Sequence, residues 1–263
     1  MERKNPRPAA QAGIEVNARG LDKNFDALQA LRDVSFSLKA GETLAVIGPT
    51  GAGKSVLLKC LMGLYPVDGG QLVLDGQNVS AAPFSPALRQ RIAMLFQHNA
   101  LFDSLPVWEN VAFAPLRRGV PRAEARDAAA QLLRKVGLSA ETGALFPAAL
   151  SGGMQKRVGF ARALAADAKL LLLDNPTAGL DPIMARRLES MILRVSRAAG
   201  ATVITVTADM ARVTAQYDRL AVLHAGAMRW FGRARQAATI AQPWVRQLLD
   251  GQRQGPMAVA AQV

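Results

Sequence analysis

The fold of this chain is decided by the stretch Gly48-Pro49-Thr50-Gly51-Ala52-Gly53-Lys54-Ser55. It matches the pattern G-x-x-x-x-G-K-[ST]. A short apolar run at 44–47, typical of a buried parallel strand, precedes it, and an apolar helical segment at 54–64 follows. The glycines allow a tight turn whose backbone N–H groups point at phosphate oxygens, and the start of the helix adds a positive dipole end. The motif therefore predicts a phosphate-binding loop, called the P-loop below.

The last two positions of the P-loop carry its charge and metal chemistry. Lys54 can reach the β- and γ-phosphates of a nucleotide, and the Ser55 hydroxyl can bind Mg²⁺. We therefore expect ATP and Mg²⁺ as cofactors. A glycine-rich turn of purely structural role is the alternative, but the flanking strand and helix favour the nucleotide. The predicted binding segment is Gly48, Pro49, Thr50, Gly51, Ala52, Gly53, Lys54, Ser55 and Val56.

Further motifs follow in a fixed order: Gln97, then Leu150-Ser151-Gly152-Gly153-Met154-Gln155, then Asp174 after an apolar run, then Ala178-Gly179-Leu180-Asp181. With the P-loop, this set resembles the ABC ATPase family over roughly residues 14–232. The resemblance implies an α/β P-loop NTPase of the ABC ATPase type, with a parallel-sheet core, an antiparallel β edge subdomain and an inserted helical subdomain at about 98–160. Residues 1–13 are expected to be a disordered tail and 233–263 a C-terminal extension with one helical piece near 244–249.

The resemblance also implies roles for single residues. Ser151, Gly152, Gly153 and Gln155 belong to the family's signature segment, which contacts nucleotide held by the opposite subunit, and Asp181 belongs to its D-loop. Gln97 links nucleotide to the transport partner, and Ser55, Gln97 and Asp174 are the expected Mg²⁺ set. Phe25 stands where the family places an aromatic side chain against adenine, although a core or surface Phe is an equal alternative.

Two positions depart from the family pattern. Asn175 stands where the family has the glutamate that serves as general base, and Ala208 stands where it has a switch histidine. An amide cannot accept a proton from water near neutral pH, and general-base catalysis is worth about 10²–10⁴-fold. Neither His98 nor His224 replaces Ala208 by position. We therefore expect a degenerate catalytic centre in a chain that lends its signature segment to an intact partner; slow but sufficient hydrolysis, or substitutions introduced to trap ATP, are the alternatives.

Three further segments, 55–59, 99–113 and 243–251, resemble ATPases of Mce/Mla-type phospholipid transporters. This implies a peripheral subunit at the cytoplasmic face of a bacterial inner membrane. Its implied partners are a second ABC ATPase subunit in a homo- or heterodimer, an integral membrane permease and an Mce-type periplasmic lipid-binding protein. An ABC protein acting on nucleic acid is disfavoured, because those proteins usually carry two cassettes or a long coiled coil.

Length, charge and composition exclude few of these functional classes. The chain has 263 residues, one cysteine and a formal net charge of +12. Its apolar runs are shorter than the roughly 20 residues of a membrane-spanning helix, and its basic, Pro/Ala-rich start is unlike a secretory signal. The positive charge suits nucleic acid, an anionic membrane surface or simple solvation, and because the basic residues are scattered it does not distinguish them.

Overall fold

The computed structural model describes residues 13–81, 83–97, 101–210, 212–252 and 254–257. The predicted tail up to residue 12, and His98, lie outside these ranges.

The strands are β1 Val16–Phe25, β2 Leu28–Leu38, β3 Thr43–Ile47, β4 Gly69–Leu74, β5 Gln77–Asn78, β6 Ile92–Leu95, β7 Leu170–Asp174, β8 Thr202–Val206, β9 Arg219–His224 and β10 Ala227–Arg233. The α-helices are α1 Lys54–Leu61, α2 Pro86–Gln90, α3 Val107–Arg117, α4 Arg122–Lys135, α5 Gly152–Ala165, α6 Pro182–Ala198, α7 Val213–Gln216, α8 Ala234–Ala237 and α9 Pro243–Leu249, with 3₁₀ turns at Ala140–Ala144 and Pro147–Ala149.

The strands form one sheet in the order β5-β4-β1-β2-β10-β9-β3-β8-β7-β6. Strands β9, β3, β8, β7 and β6 pair in parallel, whereas β2, β1, β4 and β5 pair antiparallel. The sequence explains the division: β3, β7 and β8 are buried at every position, as strands covered on both faces must be, while β1 and β2 alternate. The predicted α/β class, with a parallel core and an antiparallel edge, is confirmed.

Helices α3, α4 and α5 pack together beside the parallel strands. Buried residues such as Val111, Leu133 and Phe160 form a hydrophobic cluster that continues into β7. On the outside of this group, the guanidinium groups of Arg122 and Arg126 lie 5.0 and 5.9 Å from the Trp108 ring. The helical group is thus joined to the sheet by a shared core, which fixes the position of the α5 start.

The C-terminal extension packs onto the core along its described length. Val245 and Met257 are buried in a cluster with Ile47 and Leu220. The amide of Gln247 fixes Met257 twice, accepting from its N–H at 2.8 Å and donating to its carbonyl at 2.9 Å. The predicted helical piece near 244–249 corresponds to α9.

Among the described residues, no helix is both long and apolar enough to cross a bilayer.

Candidate functional site

The glycines of the P-loop let its backbone pass close to two strands, β2 and β9, which flank β10 in the sheet. A Cβ on Gly48 (φ 154°) would lie 2.0 Å from the carbonyl oxygen of Leu223 in β9, and one on Gly53 (φ 96°) would lie 2.4 Å from that of Ala30 in β2. Only glycine fits where backbone passes this close to backbone, and only glycine adopts these angles readily. The loop is therefore held in shape by β2 and β9, although the motif itself is local in sequence.

Lys54 begins α1 directly after the loop. Its ammonium Nζ donates to the carbonyls of Gly48 at 2.8 Å and Pro49 at 2.7 Å. Burial lowers the pKa of Lys54, and the nearby Asp174 carboxylate acts in the opposite direction. The ammonium thus lies against the loop with two of its three N–H donors in use, which leaves the third for a phosphate oxygen.

A cavity of about 610 Å³ opens over the P-loop. It brings together much of the predicted site with residues from β2 and from the turn after β9. Its lining consists of Leu28, Gln29, Ala30, Arg32, Thr50, Gly51, Ala52, Gly53, Lys54, Ser55, Val56, Gln97, Asp174, Asn175, Val206, Ala225 and Gly226. A volume in this range suits a ligand of nucleotide size.

The same cavity has the donors that Mg²⁺ prefers. Asp174 ends β7 and is 7% exposed, and it lines the same cavity as Ser55 and the exposed Gln97. Mg²⁺ binds oxygen ligands and usually keeps several waters and substrate phosphates. Ser55 and Asp174 therefore fit a magnesium ion that enters together with a phosphate.

Asn175 sits in this cavity in a left-handed conformation, with φ 46°. Its N–H donates to the Val206 carbonyl at 3.0 Å, which ties the end of β7 to the end of β8. Asparagine tolerates this backbone region better than most residues. Asn175 therefore lines the space above the P-loop from a backbone position that is fixed by β8.

Ala208 follows β8 and is exposed, outside the cavity lining. Its neighbour Thr207 is buried and accepts the N–H of Asp209 at 3.1 Å, so the segment turns away from the strand. His224 ends β9 outside the lining, with its ring 4.8 Å from Trp244. The switch position therefore offers only a methyl group.

The signature segment lies apart from the P-loop cavity. Ser151 caps α5 by accepting from the Met154 N–H at 3.3 Å, and Gln155 donates to the Pro147 carbonyl at 3.0 Å. Ser151 and Gly152 are exposed, and Gly153 is partly so. None of these four residues lines the P-loop cavity of its own chain.

Two other predicted residues have local contacts. Asp181 caps α6, accepting from the N–H groups of Ile183 and Met184 at 3.0 Å. Phe25 packs edge-on against Tyr65, with ring centroids 5.1 Å apart, and Lys23 lies 5.2 Å from its centroid. Phe25 is not part of the cavity lining, so the structure does not bring it together with the P-loop.

Several lining residues were not predicted. Arg32 and its β2 neighbours carry no motif, and neither does the Ala225-Gly226 turn, which donates from Gly226 to the Ala52 carbonyl at 3.2 Å. Lys156, 6% exposed on α5, donates to the Gln97 carbonyl at 3.5 Å and so connects the signature helix to the cavity. No local signal marks these positions, because they become neighbours only through the sheet order.

Comparison with known proteins gives consistent similarities. A family model described as ABC transporter matches residues 31–178, more than half of the chain. The methionine import ATP-binding protein MetN of Caulobacter vibrioides is 45% identical over 199 residues, which are 75% of this chain and 60% of that protein. The probable ribonucleotide transport ATP-binding protein mkl of Mycobacterium leprae is 35% identical over 252 residues, 94% of this chain and 72% of that protein.

Solved structures agree with these sequence matches. The ATP-binding cassette MJ0796, in a dimeric post-hydrolysis state with ADP and Pi, has a TM-score of 0.74 and 27% identity, covering 84% of this chain and 99% of that one. The cbiO1 protein of Clostridium perfringens has a TM-score of 0.78 and 26% identity, covering 88% and 93%.

Proposed function

The chain belongs to the ABC transporter family as an ATP-binding protein, and on this basis we propose that it is the peripheral ATP-binding subunit of a transporter at the cytoplasmic face of a bacterial inner membrane. The observation that carries the proposal is the cavity that unites Lys54, Ser55, Gln97 and Asp174 above a glycine-shaped loop. Its proposed partners are a second ATPase subunit and an integral permease.

The residues of the cavity have separable tasks. The P-loop amides and Lys54 hold phosphate oxygens, while Ser55 and Asp174 hold Mg²⁺, which offsets phosphate charge when it is bound. The Gln97 carbonyl accepts a hydrogen bond from Lys156 on α5, which connects these phosphate- and Mg²⁺-binding residues to the helix that begins with the signature segment. A bound nucleotide would thus be sensed at α5, the helix that begins with the signature segment.

We propose that hydrolysis at this chain's own site is impaired. The Asn175 amide can orient a water but cannot take its proton, and the Ala208 methyl group cannot contact a phosphate. The signature segment is intact, so the chain is suited to complete the site of a partner with a full catalytic set. A subunit that mainly binds ATP and regulates such a partner is therefore the variant of this function that the residues favour.

The catalytic part is tested by ATP turnover. The chain, purified with its native permease and any partner ATPase, is compared with the double variant Asn175→Glu/Ala208→His, with Lys54→Ala as the non-binding control. We expect slow turnover in the wild type and an increase of about 10²-fold or more in the double variant. Normal wild-type turnover at this site would show that another group activates the water.

For the transported substrate we propose a phospholipid, with an Mce-type periplasmic partner. Support comes from the segments 99–113 and 243–251, which resemble Mce/Mla-type ATPases. The names of the similar proteins favour a second candidate, import of a small polar solute such as methionine or a ribonucleotide.

The two substrates are separated by one assay. The purified complex is reconstituted, and ATP-dependent movement of labelled phospholipid is measured beside uptake of labelled methionine and ribonucleotide. Phospholipid movement that Lys54→Ala abolishes supports the lipid proposal. Solute uptake without lipid movement rejects it in favour of the importer.

A further inference from the structure

A second cavity, of about 830 Å³, lies at the opposite end of the parallel strands from the P-loop. We call it the basic groove. It is lined by Lys39, Ala40, Gly41, Glu42, Arg197, Ala215, Tyr217, Asp218, Arg219, Arg233, Arg235 and Gln236. It sits where β3 and β9 begin, whereas the P-loop cavity sits where these strands end. The two cavities share no lining residue.

Both carboxylates of the groove are already engaged by the protein. Glu42 accepts from Arg219 Nε at 3.1 Å and, through its other oxygen, from the Lys39 N–H at 2.8 Å. Asp218 accepts from the N–H and the hydroxyl of Thr43 at 2.9 and 2.7 Å through one oxygen, and its other oxygen forms an ion pair with Arg197 at 3.8 Å. These carboxylates therefore stabilise the wall of the groove and are not available to neutralise its other cations.

Three cations remain, and they come from three different elements. Lys39 follows β2, Arg233 ends β10 and Arg235 lies in α8. All three are exposed, and none has an ion-pair partner in the part of the chain that the structure describes. Like charges converging on a concave surface raise the local concentration of anions.

We propose that the basic groove binds a phosphate-bearing anion, either a lipid headgroup or a soluble phosphate ester. Two of the three free cations are arginines, whose planar guanidinium groups match phosphate oxygens in pairs. The volume is that of a small-molecule pocket, which favours a compact anion over an extended acidic peptide. The site is separate from the nucleotide cavity, so both can be filled together.

The first arm uses inorganic tripolyphosphate and isothermal calorimetry. Lys54→Ala is present throughout, because it weakens phosphate binding at the P-loop. The groove variant Lys39→Ala/Arg233→Ala/Arg235→Ala is compared with Lys135→Ala/Arg186→Ala/Arg187→Ala, which removes the same three charges from exposed helix positions elsewhere. We expect the groove variant to bind about ten-fold more weakly or worse, and the control to change by less than about two-fold.

The second arm uses vesicles of phosphatidylcholine with and without phosphatidylglycerol, in a flotation assay. A soluble phosphate ester is the ligand if only tripolyphosphate binding depends on the groove. A lipid headgroup is the ligand if flotation with phosphatidylglycerol also, or only, depends on it. Equal effects of the groove and control variants in both arms overturn the proposal, and so does equally strong displacement of tripolyphosphate by a polyglutamate peptide of equal charge.

A conservative variant guards against loss of folding. Arg233→Lys/Arg235→Lys keeps the charge but removes the paired geometry of the guanidinium groups. We expect it to retain the wild-type melting temperature and to weaken binding by about three- to ten-fold. Unchanged binding would show that the groove attracts anions by net charge alone, which also rejects a built phosphate site.

Discussion

The chemistry of single residues in this chain depends on backbone conformations that few side chains adopt. Gly53 and Gly51 both have positive φ angles, 96° and 77°, but their surroundings differ. A Cβ on Gly53 would collide with the Ala30 carbonyl, whereas nothing lies within 4 Å of one on Gly51. An alanine at Gly51 would therefore suffer only from backbone strain, whereas an alanine at Gly53 would suffer from strain and from a steric clash.

This pair gives a direct test. Gly53→Ala combines strain with a backbone collision, and we expect it to destabilise the protein by about 2–4 kcal/mol and to abolish ATP binding. Gly51→Ala meets only the strain, and we expect about 1–2 kcal/mol. Urea unfolding and titration with a fluorescent ATP analogue measure both. Equal losses of stability would contradict the close approach of the loop to β2.

Glu189 and Tyr217 form a buried hydrogen-bonded pair between α6 and the segment before β9. The Tyr217 hydroxyl donates to Glu189 Oε1 at 2.7 Å, and Glu189 is 3% exposed. Burial raises the pKa of Glu189 above the ordinary value of 4.5, although the bond from Tyr217 opposes the shift. The folded protein thus holds the proton at pH values where the unfolded chain has lost it.

The sign of the pH effect follows. Below pH 4.5 Glu189 is protonated in both states, so burial carries no ionisation penalty. As pH rises above 4.5 the unfolded chain ionises first, and the stability contribution of Glu189 falls until its folded pKa is passed. We expect Glu189→Gln, which still accepts from Tyr217, to gain stability relative to wild type between pH 4 and pH 7 in urea unfolding. A constant difference across that range would show that the folded pKa is not raised.

At the scale of elements, α9 is placed to support the nucleotide cavity. Trp244 on α9 packs at a tilt against His224, with ring centroids 4.8 Å apart, and the Arg229 guanidinium lies 5.1 Å from the Trp244 ring. His224 immediately precedes the Ala225-Gly226 turn, which lines the cavity and donates to the P-loop. A helix far along the chain thus braces the turn that holds the loop.

We therefore expect Trp244→Ala to lower the free energy of unfolding by about 1–3 kcal/mol, since it removes a half-buried ring and a cation–π contact. That corresponds to a melting temperature lower by roughly 2–4 °C per kcal/mol. ATP affinity should fall with it, because the turn loses its support. Trp244→Phe keeps an aromatic face and should restore both. Unchanged ATP affinity in Trp244→Ala would show that the turn does not need α9.

At the scale of the whole molecule, the sheet separates three surfaces. The P-loop cavity lies where the parallel strands end, the basic groove where β3 and β9 begin, and the signature segment at the start of α5. The signature segment and the P-loop of one chain do not meet. A complete site of the ABC type therefore needs a second subunit, as our proposed function requires.

If the partner subunit has the intact catalytic set, this chain's signature segment and its P-loop should contribute unequally to ATP turnover of the assembly. Ser151→Arg places a large cation in the segment that we propose completes the partner's site, and we expect it to lower turnover of the assembly by more than about ten-fold. Lys54→Ala disables only this chain's weaker site and should lower turnover by a few-fold at most. Steady-state ATPase assays on the assembled complex compare them. Equal losses would reject an unequal pair of sites.

The sequence by itself determined the features whose physics is local. The P-loop could be predicted because its glycine conformations, Lys54 and Ser55 are set within eight residues. Strands β3, β7 and β8 could be predicted because strands covered on both faces need mostly apolar or β-branched side chains. Only the tertiary structure decided the rest. Arg32 and Gly226 enter the cavity, Phe25 packs on Tyr65 instead, and five cations converge on the basic groove. These contacts join residues far apart in the chain through strand order and register, which no local pattern of side chains encodes.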